Sequence, residues 1–117
     1  MNIDTFESVV RSVVDSIPES LRDRLDNVTI EVVLRPSIEQ DPMRSGLLGL
    51  YDGVPILERG FDYYGVAPDR IFIFYESHVQ LGLNDDALRS EIRTTVLHEI
   101  GHHLGITDDR LAEIGWD

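Results

Sequence analysis

The sequence contains no cysteine. That excludes a disulfide framework, a thiol nucleophile and a thiolate metal site, so any metal must be held by nitrogen and oxygen. Positive charge is also scarce. Ten Lys and Arg stand against 22 Asp and Glu, a formal net charge of −12. Nucleic acids need a basic patch, and anionic lipid surfaces attract one, so neither is an expected partner. The acid excess is read first as solubility, with a preference for cationic substrates as the narrower alternative. No basic segment followed by an apolar run opens the chain, as a signal peptide would require. No stretch approaches the length of a membrane span. A cytoplasmic protein is expected.

What remains is globular. With 117 residues, 42% apolar and 27% charged, the chain has the proportions of one compact domain, residues 1–117. Phe6, Val9, Val10, Val13, Val14 and Ile17 recur at helical spacing, and Asp4 with Glu7 suggests a capping box at the start. Pro18 fits the first turn of a short second helix running to Leu25. Residues 28–34 alternate and are rich in β-branched side chains, which predicts a strand ended by Arg35-Pro36. A polar loop follows, then a short strand over 46–51 closed by Asp52-Gly53, then a long irregular connection over 53–68. Residues 70–75 predict a third, central strand. Asn84-Asp85-Asp86 opens the longest helix, whose acidic start suits the positive end of the helix dipole; Gly105 stops it after Leu104. One last helical turn is expected over 109–114. Helix, strands and helix without strict alternation predict an α+β fold, a small sheet packed against helices.

The chemistry concentrates on the last long helix. His98 and His102 are four residues apart, so their imidazoles share one face and can hold one ion. Glu99 stands about 100° round the helix from His98. It can serve a metal-bound water as a base without being a ligand, the logic of H-E-x-x-H. Ile92, Val96, Leu97, Ile100 and Leu104 lie on the opposite side and are expected in the core. Thr94, Thr95 and Gly101 are small and should leave space above the metal. A catalytic zinc site needs a third protein ligand and an open fourth position. Gly105 can reverse the chain, and three extended residues reach about 10 Å, enough to return the Asp108 carboxylate to the ion. Asp109 is the other candidate, with Asp108 then capping the tail helix. Two histidines and a carboxylate suit zinc and also iron.

The string His98-Glu99-x-x-His102-x-x-Gly105-x-x-Asp108 resembles the extended zincin signature with an acidic residue in place of the third histidine. More narrowly, the chain resembles the minimal zincin-like metallopeptidase family of small bacterial proteins. The likeness takes in Leu47-Leu48-Gly49-Leu50-Tyr51-Asp52-Gly53-Val54-Pro55 with Arg59, Pro68-Asp69-Arg70-Ile71, and Leu111-Ala112-Glu113-Ile114-Gly115-Trp116. It implies a zincin-like fold over 1–117, one zinc ion on His98, His102 and Asp108, Glu99 as general base, and a peptide or protein substrate. No methionine follows the motif, so there is no Met-turn, and only a short tail follows Asp108. A shallow cleft is expected. The rival expectation is a non-catalytic zinc-binding or protein-interaction module on the same scaffold.

Other polar residues are expected to be structural. His103 points about 100° away from His102 and should lie behind the site or at the core edge. His78 is expected in a solvated loop, with a part in stabilising an oxyanion as the alternative. Glu113 should face solvent. Arg59 and Arg70 should form ion pairs more readily than bind a substrate carboxylate. Tyr51, Tyr63, Tyr64 and Tyr75 are expected as core or interface residues.

Overall fold

The structure is a computed structural model that describes residues 1–53 and 69–116. The long connection, with Arg59, Tyr63 and Tyr64, lies outside the described residues apart from Gly53. The elements are α1 (Ile3–Asp15), α2 (Glu19–Arg22), a 3-10 turn (Asp23–Leu25), β1 (Val28–Val33), β2 (Gly49–Asp52), β3 (Asp69–Phe74), α3 (Tyr75–Val79), α4 (Asp85–His103) and α5 (Asp108–Glu113). The fold is α+β, as expected. No helix among the described residues is long and apolar enough to cross a membrane.

The sheet order is β1-β3-β2, with β1 parallel and β2 antiparallel to β3. The central place of β3 explains its unbroken run Ile71-Phe72-Ile73-Phe74, since both faces are buried. Ile71 and Ile73 point to one face and join α1 and α4 in the core with Phe6, Val9, Val10, Val13, Ile92, Val96, Leu97 and Ile100. Arg70, Phe72 and Phe74 take the other face. There Arg70 makes two hydrogen bonds to Glu31 on β1, 2.8 and 3.1 Å, and its guanidinium lies over the Phe72 ring. Arg70 is thus a structural ion-pair residue, as expected.

Several local expectations are corrected. The α1 cap is Asn2, whose side chain accepts the Thr5 N–H at 2.8 Å, so the Asp4–Glu7 box is not used. Asp4 falls in the first turn, where its charge meets the helix dipole. Pro18 stands at the cap of α2, and the α-helix gives way to the 3-10 turn after Arg22. The third strand ends at Phe74 and not at Tyr75, and Tyr75–Val79 form helix α3 where the end of that strand and a loop were expected.

Helix α4 ends as the glycine predicts. Gly105 has φ of 75°, the Ile106 N–H reaches back to the Gly101 carbonyl at 2.9 Å, and the Gly105 N–H reaches the His102 carbonyl at 3.0 Å. This paired termination satisfies the last carbonyls and throws the chain back. Thr107 then caps α5, its hydroxyl accepting the Arg110 N–H. Leu111 of α5 is fully buried and lies against Gly101 of α4, where an added Cβ would come within 2.3 Å of Leu111 Cδ2. Gly101 therefore makes a notch for α5; it does not line space above a metal.

Gly101→Ala is expected to force Leu111 out of that notch and to cost about 1–3 kcal/mol through overpacking. Urea unfolding of the variant against the natural protein measures it. An unchanged midpoint would mean that α5 is not held by this contact.

Candidate metal centre

Helix α4 carries His98, Glu99 and His102, and one donor atom from each lies within 4.8 Å of the others. The two imidazole rings meet edge to face with centroids 4.3 Å apart. This follows from the four-residue spacing on a regular helix capped by Asn84 at its start. The chain reversal at Gly105 brings Asp108, the first residue of α5, over the same face. Its Oδ1 lies 3.3 Å from His102 Nε2 and 3.9 Å from His98 Nε2. The cap of α5 is Thr107, so the competing role considered for Asp108 is taken by its neighbour. Asp108 and Asp109 are both exposed, and neither belongs to the His98–Glu99–His102 group; it is Asp108 that stands near the two histidines.

Glu99 approaches from the other side. Its Oε2 lies 3.5 Å from His102 Nδ1, on the ring edge away from Asp108. Its side chain is only 9% exposed, against 35% for His102 and 80% for Asp108. The cover is β2. Gly49 packs so closely on α4 that a Cβ there would stand 2.8 Å from Thr95 Cγ2 and 3.0 Å from Glu99 Cγ. Burial pushes the Glu99 carboxyl above the usual carboxylate range; the charges of His102 and His98 and a hydrogen bond from the Tyr51 backbone N–H pull the other way. The chemical and core faces of α4 are therefore not fully separate, because Glu99 sits at their seam.

Behind the site runs a buried polar chain. His103 Nδ1 is 2.9 Å from Asp69 Oδ2, and the Tyr51 hydroxyl donates to that same oxygen at 2.7 Å. His103 Nε2 lies 3.2 Å from the Arg24 carbonyl. The chain links α4 to the first residue of β3, to β2 and to the turn after α2. His103 is behind the site, as its angle predicts. Asp69 and the main chain of Tyr51 were missed by sequence reasoning. An acid opening an apolar strand is the signal that could have found Asp69.

His78 corrects an expectation. It is fully buried on α3, not in a solvated loop. Its Nδ1 donates to the Phe74 carbonyl at 2.7 Å, and its Nε2 lies 2.9 Å from the Thr95 hydroxyl. Burial lowers its pKa, against the Phe74 hydrogen bond and the Glu91 charge. Its Nε2 and the Glu91 carbonyl, 3.0 Å from the Thr95 oxygen, share that hydroxyl's single proton. Facing the core, it has no access to a substrate oxyanion. Glu113 is exposed and pairs with Arg110 at 2.8 Å.

The family model described as zincin-like metallopeptidase matches residues 25–116. Among solved structures, a conserved hypothetical protein from Thermo thermophilus shares the fold with a TM-score of 0.60. It is 24% identical, and the match covers 99% of this chain and 100% of that one. No curated protein matches the sequence.

Two outcomes are expected. His103→Ala should cost about 2–4 kcal/mol, since it leaves a cavity and strips buried hydrogen-bond partners, and thermal unfolding checks it. Glu99→Gln should change how the stability of the metal-free protein depends on pH. A raised carboxyl pKa means that the folded state keeps a proton the unfolded state has released. Stability therefore falls as pH climbs above the ordinary 4.5 through the raised value. Unfolding curves across that range should show the natural protein losing ground to the variant, and parallel curves would contradict the assignment.

Proposed function

Because the chain belongs to the zincin-like metallopeptidase family, we propose that it is a zinc-dependent peptidase with His98, His102 and Asp108 as metal ligands and Glu99 as general base. The observation that carries this reading is the position of the Asp108 carboxylate between the two Nε2 atoms, 3.3 and 3.9 Å away. With metal–ligand bonds of about 2.0–2.2 Å, two donors of a tetrahedral zinc site stand about 3.3–3.6 Å apart; the His102 pair has that spacing, and the His98 pair at 3.9 Å is slightly wider. Glu99 lies 3.5 Å from His102 Nδ1, and its role as base follows from the H-E-x-x-H pattern.

When bound, zinc supplies a polarised carbonyl and an acidified water. With the ion held by His98, His102 and Asp108, Glu99 would be the residue to accept a water proton and pass it to the leaving nitrogen. Its burial makes the carboxylate a stronger base than one on the surface. As a ligand, Asp108 would add a negative charge and make a bound water less acidic than three neutral histidines would, which Glu99 as base would offset. The Tyr51 N–H fixes the carboxylate in place. His98 and His102 are about a third exposed, so a peptide carbonyl could reach the face that would hold the ion. A closed, purely structural zinc site would need a fourth protein ligand there. The substrate is a peptide or protein segment.

Glu99→Gln is expected to retain zinc and to lose hydrolysis of a peptide library by about 10²–10⁴-fold or more. Asp108→Ala should weaken zinc binding by more than about 100-fold, beyond the effect of partners one shell further out, while Asp109→Ala binds as the natural protein does. Metal analysis and competition with a chelator read this out. Tight zinc without cleavage of any peptide would favour the non-catalytic module, and full activity in Glu99→Gln would remove Glu99 from the mechanism.

A further inference from the structure

A cavity of about 460 Å³ opens beside His98 and Glu99, between α4 and the chain entering β2. Leu47, Leu48 and Gly49 form one wall; Glu91, Thr94 and Thr95 form the other. The first wall is fixed from both ends. The Asp41 carboxylate accepts the N–H groups of Ser45, Gly46 and Leu47 and the Ser45 hydroxyl, at 2.8–3.2 Å. These bonds hold the Asp41 carboxyl below its ordinary range. The Leu48 carbonyl accepts the Phe74 N–H at 3.0 Å. The cavity is thus preformed, with apolar sides.

Beyond His98 and Glu99 at its near end, its titratable group is Glu91. Glu91 lies seven residues before His98, two helical turns and about 10 Å along the same face. The neighbouring cations of α4 are engaged elsewhere: Arg89 pairs with Asp85 at 2.8 Å, and Arg93 reaches Ser16 on the far side. Among the described residues the Glu91 carboxylate has no ion pair or hydrogen bond, although its backbone carbonyl accepts the Thr95 hydroxyl. An uncompensated anion at the far end of an apolar trough, whose near end is the reaction centre, selects a ligand with an apolar stem and a cationic tip. Among amino-acid side chains only lysine and arginine have that form.

We propose that this cavity is a substrate subsite for a lysine or arginine side chain, with the stem against Leu47, Leu48 and Thr94 and the charged head on Glu91. The proposal rests on the peptidase reading and names the substrate class for it. A leucine-type side chain would fill the apolar part but leave the Glu91 carboxylate unpaired. A glutamate would meet it with like charge.

The test uses zinc-loaded Glu99→Gln protein and blocked pentaglycine peptides whose central residue is replaced by lysine, norleucine or glutamate. Calorimetry should show lysine bound about tenfold tighter than norleucine, and glutamate weakest. Adding Glu91→Gln should bring lysine down to norleucine, and Glu91→Lys should move the preference to glutamate. Equal binding of lysine and norleucine, or a lysine preference that survives Glu91→Gln, overturns the subsite. Cleavage by the protein with Glu99 intact separates the two ideas. A Glu91-dependent lysine preference without cleavage defeats the peptidase reading alone, and cleavage with no such preference defeats the subsite alone.

Discussion

The close approach of β2 to α4 governs the rest of the site. At Gly49 the strand comes so near the helix that no side chain fits against Thr95 and Glu99. Three consequences follow from this one contact. Glu99 is shut away from water, so its proton affinity rises. Tyr51, two residues along the strand and on the same face, brings its backbone N–H to the Glu99 carboxylate and its hydroxyl to Asp69. The chain before Gly49, leaving the helix, opens the trough that runs toward Glu91.

A helix that presents polar groups to a sheet must satisfy them, since an unpaired buried group costs about 1–3 kcal/mol. Helix α4 does so with two buried chains. One runs from His103 to Asp69 and Tyr51; the other runs from Thr95 to His78 and the Phe74 carbonyl. No buried side-chain polar atom among the described residues lacks a partner. Both chains end on β3 or its edge, so the central strand sets the position of the helix that carries Glu99 and the two histidines.

What could be read in the sequence was what depends on near neighbours along the chain. The His98–His102 spacing, the core face at Ile92, Val96 and Ile100, and the stop at Gly105 are all local, and the structure has them where the pattern puts them. The central strand was legible from its unbroken apolar run. Choices between adjacent residues were less so: Asn2 caps α1 where Asp4 was expected, and Thr107 caps α5, because each is a competition between side chains of similar capping strength. The contents of the space beneath a residue could not be read at all. Gly101 makes room for Leu111, His78 is sealed in the core, and Glu99 lies under β2, each through partners distant in sequence or in another element. Asp69 was passed over for the same reason, since its partner His103 is 34 residues away.

The short tail gains its meaning from this layout. Six residues cannot sustain a helix alone, because nucleation is unfavourable and few hydrogen bonds follow it. Helix α5 exists because Gly105 reverses the chain, Thr107 caps the new start, and Leu111 falls into the notch at Gly101. Those three features place Asp108 against His98 and His102 before any ion is considered. On the proposed ligand set, two donors come from α4 and one from α5, so a bound ion would tie together two helices already docked. Binding would then draw little on ordering entropy, and its free energy would add to the docking of α5. Helix α5 can therefore supply a third donor to the two on α4.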